Sequence, residues 1–140
     1  MNKASSRPRI EVGAAVILHR GHVLISQRDQ KSHLAGLWEF PGGKREQNES
    51  FEECVRREIQ EELNVQVTVG SLFEAIEYEY PEKIVHLKFY QCEYVGGEPK
   101  ALGCRQFQWV PLSDLASYPF PPANQLILQK LRQLEFSGTA

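Results

Sequence analysis

The sequence is short of cysteine, and the three it has are badly placed for cross-links. Cys54, Cys92 and Cys104 are odd in number, scattered, and never in a Cys-x-x-Cys pair. That spacing argues against a disulfide framework or a thiolate metal site and leaves them as small core residues. Net charge is also scarce: the formal value is −2 at pH 7. A surface with so weak a field has no means of capturing duplex nucleic acid or an anionic membrane. A small anionic ligand would therefore need local cations or a metal. No run approaches the roughly 18 apolar residues of a membrane span, and Met1 to Arg9 has no apolar core of the kind a signal peptide carries. The chain is read as cytoplasmic, with no membrane partner. Repeats and low-complexity segments are absent as well.

What is present suits one domain: 140 residues are enough to bury a real core. Residues 1–9 are polar and read as a flexible arm, and residues 10–136 as a single domain, expected to act as a monomer. From Ile10, two β-rich runs are broken by Arg20-Gly21, a hairpin signal. "DQKSHLAGLW" has no sustained period and reads as a loop ending in the apolar run Leu37 to Phe40, after which "PGGK" is strong turn punctuation. Ser50 can cap a helix over about Phe51 to Leu63, Glu53 completes a capping box, and Asn64 can take the left-handed conformation that ends it. Val65 to Tyr80 and Lys83 to Tyr94 alternate apolar and polar residues and read as paired strands, with "RQFQWVP" as a further short one. "PLSDLASY" suggests a helical turn or two. "PANQLILQKLRQL" is a closing amphipathic helix offering Leu126, Leu128, Leu131 and Leu134 for packing. The expected fold is α/β, a mixed sheet covered by two main helices.

The first of those helices carries Glu58, Glu61 and Glu62. At about 100° per residue, Glu58 and Glu62 fall beside Phe51 and Val55, so they do not face away from the core. Like charges at i,i+3 and i,i+4 repel, and more strongly when partly desolvated. A hard divalent cation such as Mg²⁺ would offset them, because it takes oxygen ligands, keeps several waters and bridges carboxylates to substrate phosphates. Just before the helix, Gly42 and Gly43 allow backbone to approach a ligand closely, and Lys44 and Arg45 can meet phosphate charge.

These residues resemble the Nudix box: Gly, five residues, Glu, seven residues, Arg-Glu, an aliphatic, any residue, Glu-Glu, any residue, Gly, an aliphatic. Gly43, Glu49, Arg57, Glu58, Ile59, Glu61, Glu62 and Val65 stand in register. Asn64 replaces the last Gly, and Asn tolerates the same left-handed backbone. The resemblance implies a Nudix-type α/β/α sandwich and an enzyme that hydrolyses a nucleoside diphosphate linked to another group. It also implies Mg²⁺ as cofactor, with Mn²⁺ able to substitute. Glu58, Glu61 and Glu62 would ligate the metal with the carbonyl of Gly42. Arg57 would orient the glutamates, and Glu49 would lie at the cluster's edge. Glu58, Glu61 and Arg57 are the catalytic candidates.

Outside the box, "LWEFPGGK", "SLFEAIEYEYPEK" and "FPPAN" are similar to the MutT-like 8-oxo-dGTP diphosphatases of that family. By this resemblance Asn124 reads the oxidised base. Its carboxamide can accept from the N7–H of 8-oxoguanine and donate to O6, whereas guanine presents two acceptors there. Read from its residues alone, Asn124 after a proline pair is a helix N-cap. Phe40 would lie in the base pocket, Arg28 would reach the base or the α-phosphate, His33 would support Arg28, and Lys44 would contact phosphate. One departure stands out. Many MutT-like enzymes carry a further Glu about six residues before the "WV" pair, where this chain has Gly103. Glu98, nearby in the "GGEP" turn, is the available acid. Alternatives to 8-oxo-dGTP are CTP or dCTP, modified pyrimidine nucleotides, general dNTPs, or a Nudix fold that binds a nucleotide without turnover.

Overall fold

A computed structural model describes residues 7–29 and 35–137 of the chain. It contains seven strands and two α-helices: β1 Arg9–His19, β2 His22–Gln27, β3 Trp38–Glu39, β4 Gly42–Lys44, α1 Phe51–Leu63, β5 Gln66–Glu79, β6 Ile84–Gly96, β7 Gln106–Pro111 and α2 Gln125–Ser137. Short 3-10 turns at Leu112–Ser117 and Pro122–Asn124 lead into α2. No helix among the described residues is long and apolar enough to cross a membrane.

All strands join one mixed sheet in the order β3-β2-β1-β6-β5, with β4 also on β1 and β7 also on β2. Among the described strands only β1 and β6 run parallel, from Arg9 beside Ile84 to Leu18 beside Glu93. The β1–β2 hairpin turns on Arg20 and Gly21, whose φ values of 52° and 76° supply the two left-handed residues that a tight hairpin wants. Residues 7–9, expected in the flexible arm, are tied to the sheet instead: Arg7 pairs with Glu79 and Arg9 with Glu77, and the Pro8 carbonyl accepts from the Ile84 amide.

Helix α1 has the start and end that its sequence specifies. The Ser50 hydroxyl accepts from the Glu53 amide, the Glu53 carboxylate accepts from the Ser50 amide, and Asn64 closes the helix at φ 59°. Its Val55, Ile59 and Leu63 pack on one face of the sheet against Ala15, Ile17 and Leu24. The other face is covered by α2 and holds Phe40, Phe89, Phe120, Ile127 and Leu131. Layers of helix, sheet and helix result, as expected.

Two details differ from expectation. "PGG" is not only punctuation: Gly42–Lys44 forms β4, antiparallel to Val12–Ala14. A Cβ on Gly42 would stand 2.1 Å from the Gly13 carbonyl oxygen, so that close approach of backbone to backbone requires glycine. Leu126 is 45% exposed, and Ile127 is buried instead, because at about 100° per residue Ile127 falls on the stripe of Leu131 and Leu134 and Leu126 falls off it. Cys54 and Cys92 are buried core residues, as expected, and Cys104 is partly buried. Burial pushes their thiols up, to about 11, 12 and 11 respectively.

Candidate active site

The two glycines, helix α1 and the strand β2 bring the acids together. A Cβ on Gly43 would lie 2.3 Å from the Glu58 carboxyl carbon, so the loop admits that carboxylate only because residue 43 has no side chain. Glu62, one turn on, is 8% exposed. It accepts from the Ser26 hydroxyl at 3.1 Å. Burial pushes the Glu62 carboxyl up to about 8, and the neighbouring charges of Glu39 and Glu58 push the same way. Glu61 differs. Its side chain is 61% exposed and faces Arg57 rather than the other two acids.

Arg57 organises the rest. Its Nε and Nη2 donate to the two oxygens of Glu49 at 3.1 and 2.8 Å, and Nη1 donates to Glu58 at 2.9 Å and Glu61 at 3.1 Å. A further bond from Nη2 reaches the Lys44 carbonyl. The fork holds the Glu49 carboxyl down at about 2, and these acids in turn raise Arg57 above the ordinary guanidinium value. No three acidic, histidine or cysteine side chains among the described residues converge as a ready metal-ligand set. What does fit a hard cation is the donor chemistry: two carboxyl groups one helical turn apart, Glu58 against the glycine loop and Glu62 nearly buried.

Beside these acids, Arg28, Phe40, Lys44 and Asn124 line one cleft of about 360 Å³ together with Gly42 and Gly43. Phe40 is anchored edge-on against Phe89 at 6.0 Å and packs on Phe120 at 5.2 Å. Asn124 is 9% exposed and belongs to the 3-10 turn before α2, where its backbone amide donates to the Pro121 carbonyl at 3.0 Å. A larger groove of about 640 Å³ runs beside α1, but Arg56, Gln60 and Gln66 line it and it offers no aromatic wall for a base. His33, expected to support Arg28, lies outside the described residues.

Two residues escaped the sequence reading. Glu39 forms a 2.7 Å ion pair with Arg28, and burial raises its carboxyl while the Arg28 charge opposes the shift. Ser26 is fully buried on β2, directly opposite Glu39 in the β2–β3 register. The available signals were an isolated acid between Trp38 and Phe40, and one serine closing the apolar run of β2. At Gly103, the position of the missing acid, a Cβ would lie 3.3 Å from both Cα and Cγ of Glu62. A carboxylate there would stand against Glu62 itself. Glu98 is exposed, and its carbonyl accepts from the Asn64 side chain at the end of α1.

Comparison with known proteins identifies this arrangement. A NUDIX domain model matches residues 13–130, and the chain belongs to the Nudix hydrolase family. It is 35% identical over 127 residues to an 8-oxo-dGTP diphosphatase of Escherichia coli, covering 90% of this chain and 98% of that one. It is also 35% identical over 131 residues to a CTP pyrophosphohydrolase of the same organism, covering 94% and 97%. Among solved structures, the ORF135 protein of E. coli superposes with a TM-score of 0.82 at 34% identity, covering 97% of each chain. The MutT protein of Methanosarcina mazei Go1 follows at 0.80 and 27%, covering 92% of this chain and 96% of that one. The chain is therefore a Nudix pyrophosphohydrolase of the MutT-like type.

Proposed function

We propose that the protein hydrolyses 8-oxo-dGTP to 8-oxo-dGMP and pyrophosphate in a Mg²⁺-dependent reaction, with Mn²⁺ able to replace Mg²⁺, and that it thereby removes an oxidised nucleotide before DNA synthesis can use it. The observation that carries this reading is the sharing of one cleft by Asn124, Phe40 and Arg28 with the glycine loop that wraps Glu58. Asn124 is buried where a carboxamide can test the N7–O6 edge of a purine, and the Phe40 ring offers an apolar wall to the base. Lys44 lies on the same wall as the glycines and meets phosphate charge. Arg28 reaches the base or the α-phosphate.

Glu58 and Glu62 are the strongest candidates to hold the cation, with Glu61 and the Gly42 carbonyl completing its ligands. A cation held there would supply charge neutralisation for the triphosphate and a lowered pKa for water. Arg57 fixes Glu58 and Glu61 relative to one another, a positioning task suited to its rigid fork. A glutamate of the box takes the proton of the attacking water, since no carboxylate stands at Gly103. The P–O bond broken is the one joining the α-phosphate to pyrophosphate.

A second reading, hydrolysis of CTP or dCTP, is favoured by the CTP pyrophosphohydrolase relative and by Glu39, an acid at the cleft wall that could accept from a cytosine amino group. Measuring pyrophosphate release from 8-oxo-dGTP, dGTP, CTP and dCTP with Mg²⁺ separates the two. Preference for 8-oxo-dGTP supports the first reading, and preference for the cytosine nucleotides replaces it with the second.

A further inference from the structure

Strand β2 alternates between the two cores. Val23 and Ile25 face the α2 side, and Leu24 faces α1. Ser26 is two residues beyond Leu24, so it occupies the next place beneath α1, and it is fully buried there. Its strand is paired on both edges at this point, with Glu39 on β3 and Phe107 on β7. The hydroxyl is thus the polar group that this residue adds to the interior, and it donates to Glu62 Oε1 at 3.1 Å, across 36 residues of sequence. Packing alone gives no reason for a serine. An aliphatic side chain, Leu24, fills the preceding place on the same face, and burying a hydroxyl costs free energy unless it finds a partner.

We propose that Ser26 is a positioning residue that fixes the Glu62 carboxylate for a divalent cation. The inference rests on the reading of Glu62 as a metal ligand. A carboxylate on a long side chain loses rotamer freedom when it binds a metal, and a buried donor on one oxygen fixes the rotamer beforehand. Partners that orient a ligand in this way commonly account for 10–100-fold in metal affinity.

The test is the Mn²⁺ dissociation constant of the nucleotide-free protein, read from the electron paramagnetic resonance signal of unbound Mn²⁺. The variants are S26A and the volume-matched pair S26T and S26V, with folding checked by circular dichroism. S26A and S26V should weaken Mn²⁺ binding by about tenfold or more. S26T keeps the hydroxyl and should stay within about threefold of wild type. The Mg²⁺ concentration that gives half-maximal turnover should move in parallel. Should S26A fail to fold, the comparison of S26T with S26V carries the test. A folded S26A within twofold of wild type, or S26V binding as tightly as S26T, overturns the inference. E62Q is the control. If it leaves Mn²⁺ affinity unchanged, the assignment of Glu62 as a ligand has failed; if E62Q weakens binding and S26A does not, only the role of Ser26 has.

Discussion

Arg57 grips both oxygens of Glu49, at 3.1 Å through Nε and 2.8 Å through Nη2, while its remaining nitrogen, Nη1, holds Glu58 and Glu61. One guanidinium thus sets the spacing of three acids on the helix and the loop before it. A lysine would keep the charge and lose the fork. Arg57→Lys should lower kcat by roughly 10–100-fold while the protein stays folded. Steady-state kinetics with Mg²⁺ checks this, and wild-type kcat in a folded Arg57→Lys would remove the orienting role.

Glu58 is wrapped by the glycine loop, Glu62 is nearly buried, and Glu98 is exposed beyond the end of α1. Glu58→Gln and Glu62→Gln should each lower turnover at least about 100-fold, since each removes an anionic group from one cluster. Glu98→Gln should stay within about twofold of wild type. A loss at Glu98 comparable to that at Glu62 would mean that the turn acid has been recruited for the missing carboxylate at Gly103.

The Glu62 carboxyl, raised to about 8 by burial, gives the metal-free protein a pH dependence with a definite sign. The folded state holds this proton more tightly than the unfolded chain, whose glutamates titrate near 4.3. The associated stability is present below that value and declines as pH rises toward about 8, because the unfolded chain ionises first. Thermal unfolding in EDTA between pH 5 and 9 should show a fall of roughly 1–3 kcal/mol in wild type, and a flatter profile in Glu62→Gln. Equal slopes for the two proteins would show that Glu62 titrates normally.

The capping box makes a separate, purely structural prediction. Ser50→Ala removes the acceptor for the Glu53 amide at the start of α1. It should cost about 1 kcal/mol in denaturant unfolding. Since Ser50 is exposed and its bonds are confined to the helix start, no change in nucleotide preference should accompany that loss.

Local signals were legible in the sequence and long-range pairings were not. Ser50, Glu53 and Asn64 announce both ends of α1 because capping is settled within four residues, and Arg20-Gly21 announces the hairpin for the same reason. The strand at Gly42–Lys44 was hidden, since "PGGK" becomes a strand only through its pairing with Val12–Ala14, some 30 residues earlier. The exposure of Leu126 in favour of Ile127 was legible as well, since about 100° per residue puts Ile127 on the stripe of Leu131 and Leu134 and Leu126 off it. In the site, the box motif named the acids on α1, but Ser26 and Glu39 act through contacts with residues that no sequence period connects to them. The Asn124 ambiguity has the same origin: whether that residue caps a helix or faces a cleft depends on where the Pro121–Pro122 turn sets it down.

The most direct test of the whole account is the ratio of kcat/KM for 8-oxo-dGTP to that for dGTP, measured in wild type and in Asn124→Ala. A buried carboxamide matched to one donor and one acceptor rejects the mismatched purine because its own groups would be left unpaired, an effect that can reach roughly 10⁴-fold. The expected result is a large ratio in wild type that collapses by at least about tenfold in Asn124→Ala, with kcat at saturating nucleotide falling less than kcat/KM. A wild-type ratio near one would contradict the oxidised-guanine reading, and a large ratio unchanged in Asn124→Ala would contradict the role given to Asn124.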